Sequence, residues 1–317
     1  MSPSVGILNP FVAKSDDERR TVLRSIGPVW DGNEVWLLTA GGALFAAFPL
    51  VYATVFSGFY LALMLLLAAL IFRAVALEFR DQLEGAGWRR AWDVAFFLGS
   101  AVPALLLGVA IGNIIRGLPL NAAGEYTGGL IGLLTPFPLI IGLLVVALVT
   151  THGAAWLLVK TEGPLADRVR RAAFAGWAAL SVLWVVATLT SLALAPDRWD
   201  AFTTPVAWIA PAVVVVSLVA FPLLVRAGRD LAAFGASALG IAGMIATMGI
   251  GLYPNLVPAL DVPARSITIE KSASSDLTLT VMLVITAVGI PLVIAYTAFV
   301  YAHFRGKVRP DAQGYGH

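Results

Sequence analysis

Cysteine is absent from this 317-residue chain. Disulfides, thiolate metal sites, iron–sulfur clusters and cysteine nucleophiles are excluded together. Histidine is scarce: His152, His303 and His317 are the full set. His317 is the last residue and His303 sits in a basic tail, so bis-histidine haem ligation within the chain is not expected. Charge is also scarce. Only 13% of residues are charged, roughly half the share of a soluble domain. A net charge of +2 is too small to suggest a nucleic-acid partner. The first 34 residues are polar and charged, without the apolar core that marks a signal peptide.

Apolar sequence fills the space that charge leaves. Hydrophobic residues make up 59% of the chain, and the mean hydropathy is +0.86. Long apolar runs predict an all-α, polytopic transmembrane helix bundle of about eight spans, near 28–48, 51–72, 94–115, 129–150, 172–195, 202–225, 231–253 and 277–301. Most have the length that a ~30 Å hydrocarbon core demands. The first is the weakest, because its purely apolar part is only Val35 to Pro49. Lysine and arginine support the count. Alternating the connections places 17 of them on one side and four on the other. By the positive-inside rule the rich side is cytoplasmic and holds both termini. A single membrane domain over 1–317 is expected: a cytoplasmic segment at 1–27, the bundle at 28–303 and a cytoplasmic tail at 304–317.

One segment carries most of the chemistry: Gly27-Pro28-Val29-Trp30-Asp31-Gly32-Asn33-Glu34-Val35-Trp36. Asp31 and Glu34 are three apart and share a helix face. They fall in the first turns of a span, where ionisable groups are costly and point to function. A carboxylate here can take up protons and pass them inward. Alternatively both groups serve the positive helix N-terminus and touch headgroup water. Arg73, Glu78, Arg80 and Asp81 follow the second span; they suit an ion-paired collar near Asp31, or snorkelling to headgroups. His152 reads as an interfacial histidine or a proton relay. Asn113 and Arg116 read as loop anchors. Thr39, Gly41, Gly42 and Ala43 suit close helix contact.

The motif, continued by Thr39-Ala40-Gly41-Gly42-Ala43-Leu44-Phe45-Ala46-Ala47-Phe48-Pro49 and Phe56-Ser57-Gly58-Phe59-Tyr60, resembles that of cytochrome bd oxidase subunit II. The likeness extends through Glu78-Phe79-Arg80, Trp92-Asp93 and Gly112-Asn113 to Leu277-Thr278-Leu279-Thr280-Val281-Met282. The resemblance implies a quinol-oxidising, oxygen-reducing complex of the bacterial cytoplasmic membrane. It places haem b and haem d in subunit I and none on this chain. Subunit I is then the partner, with room for a small single-span accessory subunit, membrane lipid and a bound quinone. It assigns Asp31, with Glu34 beside it, to a proton path, Trp36 to an oxygen path, and Trp30, Gly32 and Asn33 to the structural motif. The family's nine helices begin with one that ends in an Asp-Gly-Phe-Asp-type motif. The likeness here starts near Val5-Gly6-Ile7-Leu8, so that helix is expected to be missing. A secondary transporter and a pure membrane scaffold are the competing readings. The midplane carries almost no charge, which disfavours the transporter.

Overall fold

Residues 2–13 carry no charge and place Val5, Leu8 and Val12 at helical spacing. In the computed structural model, which describes residues 2–308, they form helix α1, Ser2–Val12. All three side chains are buried, and α1 packs against two long helices of the bundle. The stretch expected as a polar leading segment therefore enters the core, and polarity begins only at Lys14. Ser15 then caps α2, Asp16–Arg24, through a reciprocal capping box with Glu18.

The remaining helices are α3 (Trp30–Ala47), α4 (Pro49–Gly58), α5 (Tyr60–Phe79), α6 (Ala86–Arg116), α7 (Pro136–Lys160), α8 (Gly163–Leu194), α9 (Ile209–Arg226), α10 (Asp230–Leu252) and α11 (Asp276–His303). Among the described residues, seven helical segments are long and apolar enough to cross a membrane. The first expected span, α3, has 18 residues but is not among the seven. Trp30, Asp31, Asn33 and Glu34 dilute its apolar character. The second expected span is two helices, α4 and α5, broken at Phe59. Gly58 sits at the break, where an added Cβ would lie 2.8 Å from Tyr126. The fourth span starts later than expected, because Pro136 takes the first helical position of α7. The fifth starts earlier, because α8 includes the charged turn 167–171, which hydropathy does not see.

Packing is closest along α6. It lies against α5, α7 and α1, while α7 also meets α8 and α10. Gly108 and Gly112 are points of close approach to α7: an added Cβ would lie 2.7 Å from the Cα of Gly142 and 2.6 Å from the Cα of Pro138. Small residues of this kind let helix backbones come together where no hydrophobic effect drives them. One end of the bundle is closed by loops. The strand Asn255–Val257 pairs antiparallel with Ile267–Thr268, and Leu118 exchanges backbone hydrogen bonds of 2.9 and 2.8 Å with Pro258 and Leu260. Asn113 Nδ2 donates to Leu133 O at 2.8 Å, and Arg116 donates to Thr135 Oγ1 at 3.0 Å, so both side chains tie α6 to its following loop. In contrast, α3 and α11 contain no buried residue.

Gly108→Leu should block the α6–α7 approach and destabilise the folded protein by about 1–3 kcal/mol. A thermal melt in detergent reads this as a lower midpoint. Gly235→Ala, where nothing lies within 4 Å, should leave the midpoint unchanged or raise it.

Candidate functional site

The motif residues sit on the first turns of α3, directly after a short turn from α2. Val29 precedes the helix and is buried, while Trp30 packs against the main core cluster. Asn33 Nδ2 donates to Val29 O at 2.6 Å, and its side chain shares a hydrogen bond with the Tyr301 hydroxyl of α11. The motif thereby joins α3 to α11. Gly32 has no neighbouring atom within 4 Å of an added Cβ.

The two carboxylates divide. Asp31 is exposed. Glu34 is partly buried and forms an ion pair with Arg73 of α5. The Arg73 side chain has no solvent exposure at all. Its place depends on Gly99 of α6, where an added Cβ would lie 2.6 Å from Ala69 O and 2.8 Å from Arg73 Cβ. A buried cation must be paired to be tolerated, and Glu34 is its partner. Trp36, two residues on, is 46% exposed. Among the described residues none encloses it.

Below this pair lies a larger charged layer. Arg80, only 2% exposed, donates from Nε to Asp93 Oδ1 and from a terminal nitrogen to Asp16 Oδ1, both at 2.7 Å, and to Asp81 at 3.0 Å. Arg19 holds the other oxygen of Asp93 at 2.5 Å, and Arg89 holds Asp16 at 3.2 Å. Arg168 of α8 pairs with Glu18 and donates from Nε to Val12 O at 2.6 Å. These bonds tie α2, the end of α5, and the starts of α6 and α8 together. Burial pushes the Asp16 carboxyl up, but the Arg80 hydrogen bond and the charges of Arg80, Arg89 and Arg20 hold it below its ordinary value. For Glu18, burial is likewise outweighed by backbone bonds from Lys14 and Ser15 and by Arg168. Burial disfavours the Arg80 cation, yet Asp93 and Asp16 raise its pKa overall.

Of the expected collar, then, Arg73 faces Glu34 and Arg80 centres a separate network, while Glu78 is exposed and outside both. Asp16, Glu18, Asp93 and Arg168 were not singled out as sites from sequence. Two signals for them were present: the Ser15-x-x-Glu18 capping pattern and an acidic residue beside Trp92. His152 lies in α7, with Nδ1 2.8 Å from Ser237 Oγ and its ring stacked on Phe234. His303 is packed between Phe299 and Phe304, and His317 lies outside the described residues. Among the described residues, no group of three or more histidine and acidic side chains is placed to hold a metal ion. At the loop-covered end of the bundle, an apolar cavity of about 330 Å³ is walled by Trp184, Trp199, Phe202, Trp208 and Met248.

Known proteins share this sequence and this fold. A family model described as cytochrome bd terminal oxidase subunit II matches residues 4–304. The chain is 38% identical to cytochrome bd-I ubiquinol oxidase subunit 2 of Escherichia coli, covering 97% of this chain and 89% of that protein. It is 38% identical to a probable cytochrome oxidase subunit 2 of Haemophilus influenzae, over 96% and 88%. Cytochrome bd ubiquinol oxidase subunit 2 of Bacillus subtilis is 32% identical over 96% and 89%. A chain in the structure of bd oxidase from Geobacillus thermodenitrificans superposes with a TM-score of 0.72 at 20% identity, covering 96% of this chain and 94% of that one. That last likeness speaks for the fold alone.

Asp16 and Glu18 have ordinary values of 3.8 and 4.5, and folding lowers both. Each therefore contributes stability that is present above its ordinary value and is lost as pH falls through its lowered one. The melting midpoint of the purified protein should fall on acidification below about pH 5. Arg80→Ala should flatten that dependence. An unchanged slope in the variant would show that the Arg80 network does not set it.

Proposed function

The chain belongs to the cytochrome bd terminal oxidase subunit II family, and on that premise we propose how it serves a quinol oxidase of the bacterial cytoplasmic membrane. Its partner is the haem-bearing subunit I. The haems supply the redox chemistry there, and the residues of this chain bind, orient and move protons around them. The arginine-rich end, where α2 and the described end of α11 lie, faces the cytoplasm, in keeping with the excess of positive charge there.

One observation carries the reading. α3 presents a solvated carboxylate, Asp31, one turn before a partly buried one, Glu34, fixed by Arg73. Reduction of oxygen consumes protons, and a carboxylate at the inner mouth of the bundle can collect them. Asp31 is the entry group. Glu34, paired with the buried Arg73 guanidinium, orients the turn. Protons taken from the cytoplasm cross part of the membrane on the way to the haems, so turnover is electrogenic without a pump.

The faces of α3 fit the same role. Trp36, Leu38 and Phe45 are exposed within the single chain, and Gly42 meets nothing within 4 Å. Subunit I covers the face of Leu38, Gly42 and Phe45, where Gly42 admits a close helix, and Trp36, on the opposite side of α3, lines an oxygen route. Covering that face stabilises subunit I in return. α11, which buries no residue within the chain, leaves a flank for lipid or a small single-span accessory subunit. The tryptophan-walled cavity has the apolar lining that a lipid chain or a quinone tail requires.

Asp31→Asn separates a proton path from a pure scaffold. The complex should assemble with normal haem absorbance, and oxygen consumption should slow about a hundredfold, the lower end for losing a positioned proton-transfer group. Normal turnover with normal assembly would favour the scaffold.

A further inference from the structure

Beside the charged layer lies a cleft that the proposed proton path does not use. It opens between the last turn of α1 and the first half of α6, with a volume of about 280 Å³. Six residues define its chemistry: Asn9, Phe11, Arg19, Arg90, Asp93 and Phe97. Asn9 is 1% exposed, and neither its amide nitrogen nor its oxygen has a hydrogen-bond partner among the described residues. A buried amide left in this state costs free energy, and such groups are rare in folded proteins. Asp93 does not make the cleft acidic, because Arg80 holds one of its oxygens and Arg19 the other. Arg90 is exposed and adds a further cation at the rim. The outer wall is apolar: Phe11 is 69% exposed and meets Phe97 edge-on, with ring centroids 6.0 Å apart.

A cation, a donor and acceptor awaiting partners, and an exposed aromatic ring beside a half-buried one are thus brought together at the arginine-rich end of a membrane bundle. Basic clefts at this depth suit lipid headgroups, and guanidinium groups suit phosphate oxygens. We propose that this cleft binds the headgroup of an anionic phospholipid. Arg90 and the Asn9 amide nitrogen donate hydrogen bonds to the phosphodiester oxygens. Asn9 Oδ1 accepts one from a hydroxyl of a glycerol headgroup. Phe11 and Phe97 lie along the first acyl carbons. A free phosphate ion would satisfy Arg90 and leave both rings without a partner, which is why the lipid is the better occupant.

The test uses the assembled complex in detergent, with bound lipid counted by native mass spectrometry. Phosphatidylglycerol should be retained by the wild type and bind about tenfold more weakly in Arg90→Gln and in Asn9→Leu, the loss expected of one hydrogen bond to a charged group. Equal retention in both variants would overturn the assignment. Two further arms need only the wild type. Phosphatidylcholine matching phosphatidylglycerol in affinity would reduce the cleft to a non-selective greasy surface. Inorganic phosphate displacing phosphatidylglycerol at equal concentration would make it a site for the free anion. Either result contradicts the proposal.

Discussion

A guanidinium with no solvent exposure sits inside an apolar helix, and much of the candidate site follows from that constraint. Leaving the Arg73 guanidinium without a counter-ion at a buried site would be strongly destabilising. Glu34 supplies it, and in doing so fixes the first turns of α3 against α5. Gly99 supplies the space, since any side chain there would collide with α5. Asp31, three residues earlier, is left facing solvent. Two carboxylates with the same chemistry thus meet different surroundings: Glu34 is paired with a buried guanidinium, and Asp31 is exposed.

The charged layer at the end of the bundle does different work. Arg80 gathers Asp16, Asp81 and Asp93, and Arg168 reaches Glu18 and the end of α1. These bonds hold the short leading helices against the long ones, so that α1 stays buried between α6 and α7. The C-terminal end is fastened nearby, with Lys160 Nζ donating to Phe304 O at 2.5 Å and Lys307 to Leu158 O at 2.6 Å. With those ends pinned, α3 and α11 bury no residue within the described chain. Their exposure matches a subunit whose remaining contacts lie with lipid and another polypeptide.

Much of this was legible in the sequence, and the misreadings have identifiable causes. Spans 231–253 and 277–301 match α10 and α11 within two residues at each end, because polar residues flank both sharply. Helix starts at Pro136 and Gly163 were misplaced because hydropathy reports membrane immersion, and helices extend past it or begin at a proline regardless. α1 was overlooked because eleven residues are too few to register as a span, although Val5, Leu8 and Val12 carried the period. The motif from Trp30 to Trp36 stood out by composition. Its pairing did not: nothing local says that Glu34 meets Arg73, 39 positions away. Long-range ion pairs such as Arg80–Asp16 are likewise properties of the packed bundle. The Asn9 cleft was invisible for the same reason, since an asparagine in sequence does not show whether its amide is satisfied.

A double-mutant cycle on Arg73 and Glu34 tests the central claim most directly. Stability of the assembled complex would be measured for Arg73→Met, Glu34→Gln and the pair. Each single change should cost about 3 kcal/mol or more by leaving a partner unmatched at the buried site. The double change should cost less than their sum by about 1–3 kcal/mol. Strict additivity would mean that the two side chains do not depend on each other, and the account of how α3 is held would be wrong.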